Sequence, residues 1–405
     1  MSGHRPAKGD GHRIGLALAG GGPEGAVYQI GALQALHETL EGIDLGDLHV
    51  YVGVSAGSFI AACLANKLTT AQLCRSTFEE DPSKLPFSPK TFFTPAAKEM
   101  LRRTLMTPGL ALEAVADYAS SPADGSLFEA LTRLTRALPV GLFDNEPIRA
   151  YLNKIFAVHG RTDDFRELDA KLVVVAADLD SGLAVKFGEP GMDHIPISQA
   201  VQASTALPGL YPPVEIEGRH YVDGVLLKTL HASVALDAEA ELVLCLNPIV
   251  PVDTTDSVEA GVMRRGKLLH RGLPTVLSQT FRTLVHSRLT AGLASYEERY
   301  PGADIVLFEP DRDDYRMFFT NVFTFSDRKA VCQHAYHSTR RQLLKRRAEL
   351  EPIFALHGIR MRIDVLEEER ELGPVSHLRR RPRAQVTDDL NRTLSRLETL
   401  LHASD

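Results

Sequence analysis

The chain runs to 405 residues, 44% hydrophobic and 24% charged, a globular composition with enough length to bury a sizeable core. Its 45 Lys and Arg against 52 Asp and Glu leave a formal charge of −7, which argues against a surface built throughout to hold nucleic acid. The four cysteines (Cys63, Cys74, Cys245, Cys332) form no C-x-x-C pair and no His-x-x-x-His pattern accompanies them; neither structural zinc nor a disulfide framework is expected, and a reducing compartment fits.

In chain order, residues 1–13 are a polar, basic tail without the apolar run of a secretory signal. No stretch approaches the roughly 18 to 20 apolar residues of a membrane-spanning helix. The expectation is a cytoplasmic protein, at most peripheral to a membrane. Ile14-Gly-Leu-Ala-Leu-Ala19 reads as a strand that stops at Gly20-Gly21-Gly22, and a helix follows from Ala26, with Val27, Ile30, Leu33 and Leu36 spaced for one face. A second such unit is Val50-Tyr-Val-Gly-Val54, then Ser55, then a small-residue helix from Ala56. Two strand–loop–helix units predict a parallel sheet with crossover helices.

Residues 83–147, rich in Pro at their edges and helical inside, read as an insertion over the sheet. Strands return as continuous apolar runs at 171–177 and 240–246, the pattern of buried parallel strands. Past Pro251 the strands thin out. An amphipathic, basic helix is predicted over 268–293 and another over 330–356. The aromatic stretch 317–325 lies between them. An acidic run at 367–371, a basic cluster at 379–383 and a last helix over 387–401 complete the chain.

Gly53-Val-Ser55-Ala-Gly57 is a G-x-S-x-G nucleophile elbow in the required strand-to-helix context, where flanking glycines allow the tight turn that exposes the serine. Gly20-Gly21-Gly22-Pro-Glu24-Gly25 also lies between strand and helix. It spells the dinucleotide fingerprint G-x-G-x-x-G, yet its N–H groups at a helix N-terminus equally suit an oxyanion hole, and a plain tight turn explains the glycines too. A serine nucleophile needs a base. The chain order does not match an α/β-hydrolase, and none of the fifteen histidines, His220 and His231 included, sits in a motif that marks it as one. The better candidate is Asp223, in Tyr221-Val-Asp-Gly224, where a short apolar stretch meets a turn. Asp178 and Asp180, just past a buried strand, read first as turn carboxylates.

Taken together and in order, the glycine loop Gly20–Gly25, the elbow around Ser55 and Asp223-Gly224 resemble the patatin-like phospholipase family. Gly141-Leu-Phe-Asp-Asn145, Ala177-Asp-Leu-Asp-Ser181 and Ala203-Ser-Thr-Ala-Leu-Pro-Gly-Leu-Tyr-Pro212 support the likeness, which covers residues 14–246. The resemblance implies a Ser55–Asp223 dyad without histidine, an oxyanion hole from the N–H groups of Gly20, Gly21 and Gly22, and an acyl-enzyme resolved by water. Two departures stand out: Glu24 where the family usually has Arg or Lys, and Val225 where it has Gly or Ala. Glu24 is expected to tilt the site from anionic head groups toward neutral esters, unless it serves only the helix N-terminus, worth up to about 1 kcal/mol.

The expected architecture is an α/β three-layer sandwich with a mostly parallel central sheet. It carries a tail at 1–13, a hydrolase domain at 14–250 with the insertion, and a mainly helical extension at 251–405. The expected function is hydrolysis of lipid carboxylic esters without metal or cofactor, on a lipid or lipid-like partner, with a membrane or lipid-particle surface as the place of action and no nucleic acid. The alternatives are acyl transfer on the same dyad, or a non-catalytic lipid-binding scaffold. A dinucleotide site with Glu41 or Asp44 on the ribose would explain neither Ser55 nor Asp223.

Overall fold

Runs of aliphatic residues too short for helices, each ended by glycine or a polar turn, build the centre of the molecule. The computed structural model describes residues 12–78, 93–96, 139–253, 255, 258, 267–270, 272–312 and 325–372. The strands are β1 (Ile14–Leu18), β2 (Leu40–Glu41), β3 (Val50–Val54), β4 (Thr94–Pro95), β5 (Phe143–Asp144), β6 (Lys171–Asp178), β7 (Ala184–Phe187), β8 (Val214–Ile216), β9 (Arg219–Asp223), β10 (Leu242–Leu246), β11 (Asp304–Phe308) and β12 (Arg360–Met361). Eight of them form one sheet in the order β11-β10-β1-β3-β6-β9-β8, with β7 on β6. β11, β10, β1, β3 and β6 run parallel, whereas β7 and β9 run antiparallel to β6.

The helices are α1 (Gly22–Thr39), α2 (Ala56–Ala65), α3 (Thr70–Phe78), α4 (Glu146–Phe156), α5 (Ile197–Ser204), α6 (Ala232–Asp237), α7 (Lys267–His270), α8 (Leu273–Arg299), α9 (Phe325–Lys345), α10 (Arg347–Leu356) and α11 (Ile363–Glu367). Strand alternation divides them between two faces. Ala17, Val52, Val54, Val173, Val175 and Val243 join one core cluster with Ala232 and Val234 of α6 and with Val285, Leu289 and Tyr296 of α8. The alternate positions, such as Leu16, Leu18 and Tyr51, are left for the other face, where α2 lies against β1, β3 and β6. The result is the expected mostly parallel α/β arrangement in three layers.

Three features go beyond the sequence reading. β11 adds a parallel edge strand at 304–308, within the part of the chain where the strands thin out, and α8 joins the core, so chain beyond residue 250 completes the same sheet. The helix expected over 268–293 is two, α7 and α8, separated at Gly272 with φ 85° and restarted with Pro near its first turn. That over 330–356 breaks at Arg346 into α9 and α10. And α1 is buried almost all round, Gln29 and Gln34 included, because α9 packs along it.

The chain divides into two compact units, residues 1–369 and 370–405. Most of the insertion at 83–147, the aromatic stretch before residue 325, the basic cluster at 379–383 and the helix over 387–401 lie outside the described residues.

Candidate active site

The carboxyl ends of β1 and β3 lie side by side, with Leu18 paired to Gly53, so the two glycine-bearing loops open onto one end of the sheet. Ser55 follows β3 directly and takes φ 53°, a region L-residues rarely adopt, as the N-cap of α2. The elbow can be this tight because its glycines lack side chains. A Cβ at Gly53 would come 2.4 Å from Ser58 Cα, and one at Gly57 would come 2.3 Å from the Leu18 carbonyl oxygen. The Ser55 backbone is pinned at both ends: its N–H donates to Ser204 Oγ at 2.8 Å, and its carbonyl accepts the Ser58 hydroxyl at 2.5 Å.

Asp223 arrives from the opposite direction. Val175 of β6 pairs with Val54, the last residue of β3, on one side and with Lys186 of β7 on the other. The next residue, Ala176, pairs with Val185 of β7 and with Asp223, the last residue of β9. β3 and β9 therefore share one edge of β6 and meet head to head, which brings the serine and the aspartate together. The Ser55 side chain lies close enough to the Asp223 carboxyl to favour its ionised form. Asp223 is 1% exposed, and its Oδ1 accepts the Val225 N–H at 2.9 Å. Burial pushes its carboxyl up to about 7, opposed by the Val225 N–H and the Ser55 hydroxyl. Gly224 lets this turn lie on β6, since a Cβ there would be 2.5 Å from the Val175 carbonyl oxygen.

The glycine loop closes the third side. Gly20 lies against the nucleophile, where an added Cβ would stand 3.1 Å from Ser55 Cβ. Gly21 has φ 149° and Gly22 φ 60°; Gly21 and Gly25 both press on Pro248. Gln29 anchors the loop from within α1 by donating Nε2–H to the Ala19 carbonyl at 2.6 Å. The first N–H groups of a helix lack intrahelical acceptors, so the starts of α1 and α2 both present donors at this end.

Glu24, in the first turn of α1, lies in the field of Arg282 from α8. Burial pushes its carboxyl up to about 7, and the Arg282 guanidinium pulls the other way. Arg282 is itself lowered by burial and supported by Glu24. The unusual charge at position 24 is thus countered by a helix far along the chain. Val225, the other departure, is buried beside Gly20.

The remaining candidates take structural positions. Asp178 caps its own turn: Oδ1 accepts the N–H groups of Asp180 and Ser181 at 3.0 Å, and Arg219 reaches Oδ2 at 3.2 Å. Its carboxyl is held low, first by the Ser181 N–H, so it behaves as the turn carboxylate expected. His231 is buried and pushed down to about 4 by that burial. No group of metal-ligating side chains gathers at this end of the sheet among the described residues.

Two residues here were not singled out by the sequence. Ser204 sits inside the Ala203–Pro212 segment, but its partners, the Ser55 N–H and the Val175 carbonyl (2.6 Å), come from remote strands. Arg282 was only one of several basic residues on a helix.

The model of the patatin-like phospholipase family matches residues 16–236. Among solved structures, VipD from Legionella pneumophila is 15% identical with a TM-score of 0.37, over 83% of this chain and 67% of that one. The type III effector protein ExoU is 16% identical with a TM-score of 0.32, over 83% and 53%. In the heterodimeric ExoU–SpcU complex from the type III secretion system of Pseudomonas aeruginosa, the match is 16% identical with a TM-score of 0.26, over 85% and 61%. The chain spans about two thirds of the length of the first of these and about half of the second.

Proposed function

The chain belongs to the patatin-like phospholipase family, and we propose that it is a serine acyl hydrolase that cleaves carboxylic esters of lipids with Ser55 and Asp223. Ser55 Oγ attacks the ester carbonyl while Asp223 takes the hydroxyl proton. The tetrahedral oxyanion is held by backbone N–H groups. Collapse expels the alcohol, protonated by Asp223, and leaves an acyl-serine; water then attacks with Asp223 again as base.

The observation that carries this reading is the meeting of the ends of β3 and β9 on one edge of β6, which sets Ser55 beside Asp223, a carboxyl that burial has raised to about 7. A lone carboxylate at its ordinary value is too weak a base for a serine, and one near neutrality is matched to the task. Because the Ser55 N–H is already given to Ser204, the oxyanion donors fall to the Gly20–Gly22 loop and the first turn of α2.

The lipid part of the proposal is supported by α7 and α8. Leu269, Leu273, Leu277 and Leu284 are all more than half exposed. The same α8 reaches toward the site, with Arg282 in the field of Glu24 and Arg288 donating to the Leu226 carbonyl at 2.8 Å. An apolar stripe on a helix with basic residues suits the surface of a lipid layer. No helix among the described residues is long and apolar enough to cross a membrane.

The test is hydrolysis of p-nitrophenyl esters, with acyl chains from two to sixteen carbons, by wild type and Ser55→Ala side by side. Wild-type turnover lost in the variant is expected, and the chain-length profile then measures the acyl pocket. Equal rates for the two proteins on every ester and on mixed phospholipid vesicles would overturn the proposal.

A further inference from the structure

At the opposite end of the sheet, where β1, β10 and β11 begin, three ligating side chains converge. His12 precedes β1, Glu241 precedes β10 and His357 follows α10, and one ligand atom from each lies within 4.8 Å of the other two. The strand starts that carry them are laced together: the Glu241 N–H donates to the Arg13 carbonyl at 2.7 Å, and the Asp304 N–H to the Glu241 carbonyl at 2.8 Å. His12 Nδ1 stands 3.7 Å from Glu241 Oε2, and the His12 and His357 rings meet edge-on at 5.6 Å. Glu241 also accepts the Arg13 guanidinium at 3.2 Å and the Arg13 N–H at 3.3 Å.

His357 sets this cluster apart from a chance meeting of polar groups. It is only 7% exposed, and its Nε2–H donates to Asp304 Oδ2 at 2.7 Å. That bond leaves the lone pair on Nδ1, and Nδ1 is buried without any hydrogen-bond partner. Buried nitrogens are rarely left so. A carboxylate behind an imidazole whose other nitrogen carries the free lone pair is the arrangement that orients metal-binding histidines and raises their basicity.

We propose that His12, Glu241 and His357 bind a transition-metal dication of the zinc class, with Asp304 orienting His357 and water completing the coordination. Two imidazoles and one carboxylate suit Zn2+, Co2+ or Ni2+ rather than the all-oxygen preference of Mg2+ or Ca2+. Loading draws the ligand atoms inward, since ligands around one tetrahedral zinc lie roughly 3.3 Å apart. The exposed His12, just ahead of β1, is the member free to move. The site is structural, because it gathers strand beginnings whereas Ser55 and Asp223 occupy the far end. A bound ion would clip the chain before β1 to the turn after α10.

The test uses the full chain freed of metal by a chelator and titrated with Co2+, followed by its visible absorption, then with Zn2+ in competition. One equivalent is expected to bind, to raise the melting temperature, and to leave hydrolysis of a soluble ester unchanged. His12→Ala and His357→Gln should each weaken binding at least tenfold, and Asp304→Asn by about 10–100-fold. His12 is exposed, so its variant keeps the test decisive even where His357→Gln fails to fold. Absence of binding at micromolar metal, or equal binding in wild type and His12→Ala, overturns the proposal. Ester hydrolysis that disappears on chelation overturns the structural role. Absorption reads the site without any reference to catalysis, so this proposal and the hydrolase proposal fail separately.

Discussion

The backbone N–H of Ser55 donates to the hydroxyl of Ser204, and that hydroxyl donates in turn to the Val175 carbonyl. One side chain from α5 therefore ties the elbow to the strand whose edge also carries Asp223. Ser204→Ala leaves a buried N–H and a buried carbonyl without that partner, which costs about 1–3 kcal/mol. The serine loses the constraint that holds it at a positive φ. The expected outcome is a lower melting temperature together with a kcat reduced about tenfold to a hundredfold and little change in KM. A KM effect with kcat intact would contradict the positioning role.

The raised carboxyl of Asp223 has consequences for rate and stability of opposite sign. Its base form is the active one, so kcat/KM on a neutral ester should rise with pH and level off above about 7. For stability, the unfolded chain loses this proton near 3.8 while the folded chain keeps it to about 7. The group's contribution therefore declines as pH rises between those values and stays unfavourable above them. Asp223→Asn should lower the rate by about 10²–10⁴-fold and gain stability on wild type between pH 4 and 7. Glu24 is raised to a similar value, so the rate profile is best recorded in Glu24→Gln, where the Asp223 limb must persist.

Glu24 and Arg282 lie in one another's field beside the glycine loop. Glu24→Gln leaves a buried guanidinium at the mouth of the site, whereas Arg282→Gln removes the cation that draws the Glu24 carboxyl down, so that carboxyl is protonated at neutral pH and no charge is added. The ratio of activity on anionic phospholipid to activity on a neutral ester should rise in the first variant and stay near the wild-type value in the second. Ratios that move together, or not at all, would reduce the pair to a latch between α1 and α8.

How far the sequence carried depended on the range of the interactions. The elbow, the glycine loop and Asp223-Gly224 are written in short segments whose turns demand particular residues, and each proved to lie at the same end of the sheet. Ser204, Arg282 and the His12–Glu241–His357 cluster depend on partners hundreds of residues or several strands away, so no local spacing announces them. β11 was missed for a related reason: its five residues, three of them only half-buried, sit on the sheet edge and follow a long helix. The uniform burial of α1 was hidden because the helix that covers it, α9, lies near the other end of the chain.

That cover rests on a close crossing. A Cβ at Gly31 would stand 2.2 Å from the Cys332 carbonyl oxygen and 3.0 Å from Ala335 Cβ. Alanine gains about 1 kcal/mol over glycine in a helix interior. Here the obstacle is backbone, which cannot rotate aside, so α1 and α9 must part. Gly31→Ala should come out net destabilising by about 1–3 kcal/mol in chemical denaturation, whereas the open position Gly22 should show strain from its φ of 60° but no clash.

The exposed leucines of α7 and α8 separate catalysis from access to a lipid layer. Leu273 and Leu277 are 69% and 58% exposed, one turn apart, and neither belongs to the core cluster that holds α8 to the sheet through Val285 and Leu289. Replacing both with Asp should therefore leave the melting temperature and the turnover of a short soluble ester close to wild type. On mixed phospholipid vesicles the same variant should lose binding, since each leucine removed forfeits roughly 1.5–3 kcal/mol of apolar burial, and its activity should fall in step. Vesicle activity that survives the double substitution would assign lipid contact to another face and leave α8 only its part in the core.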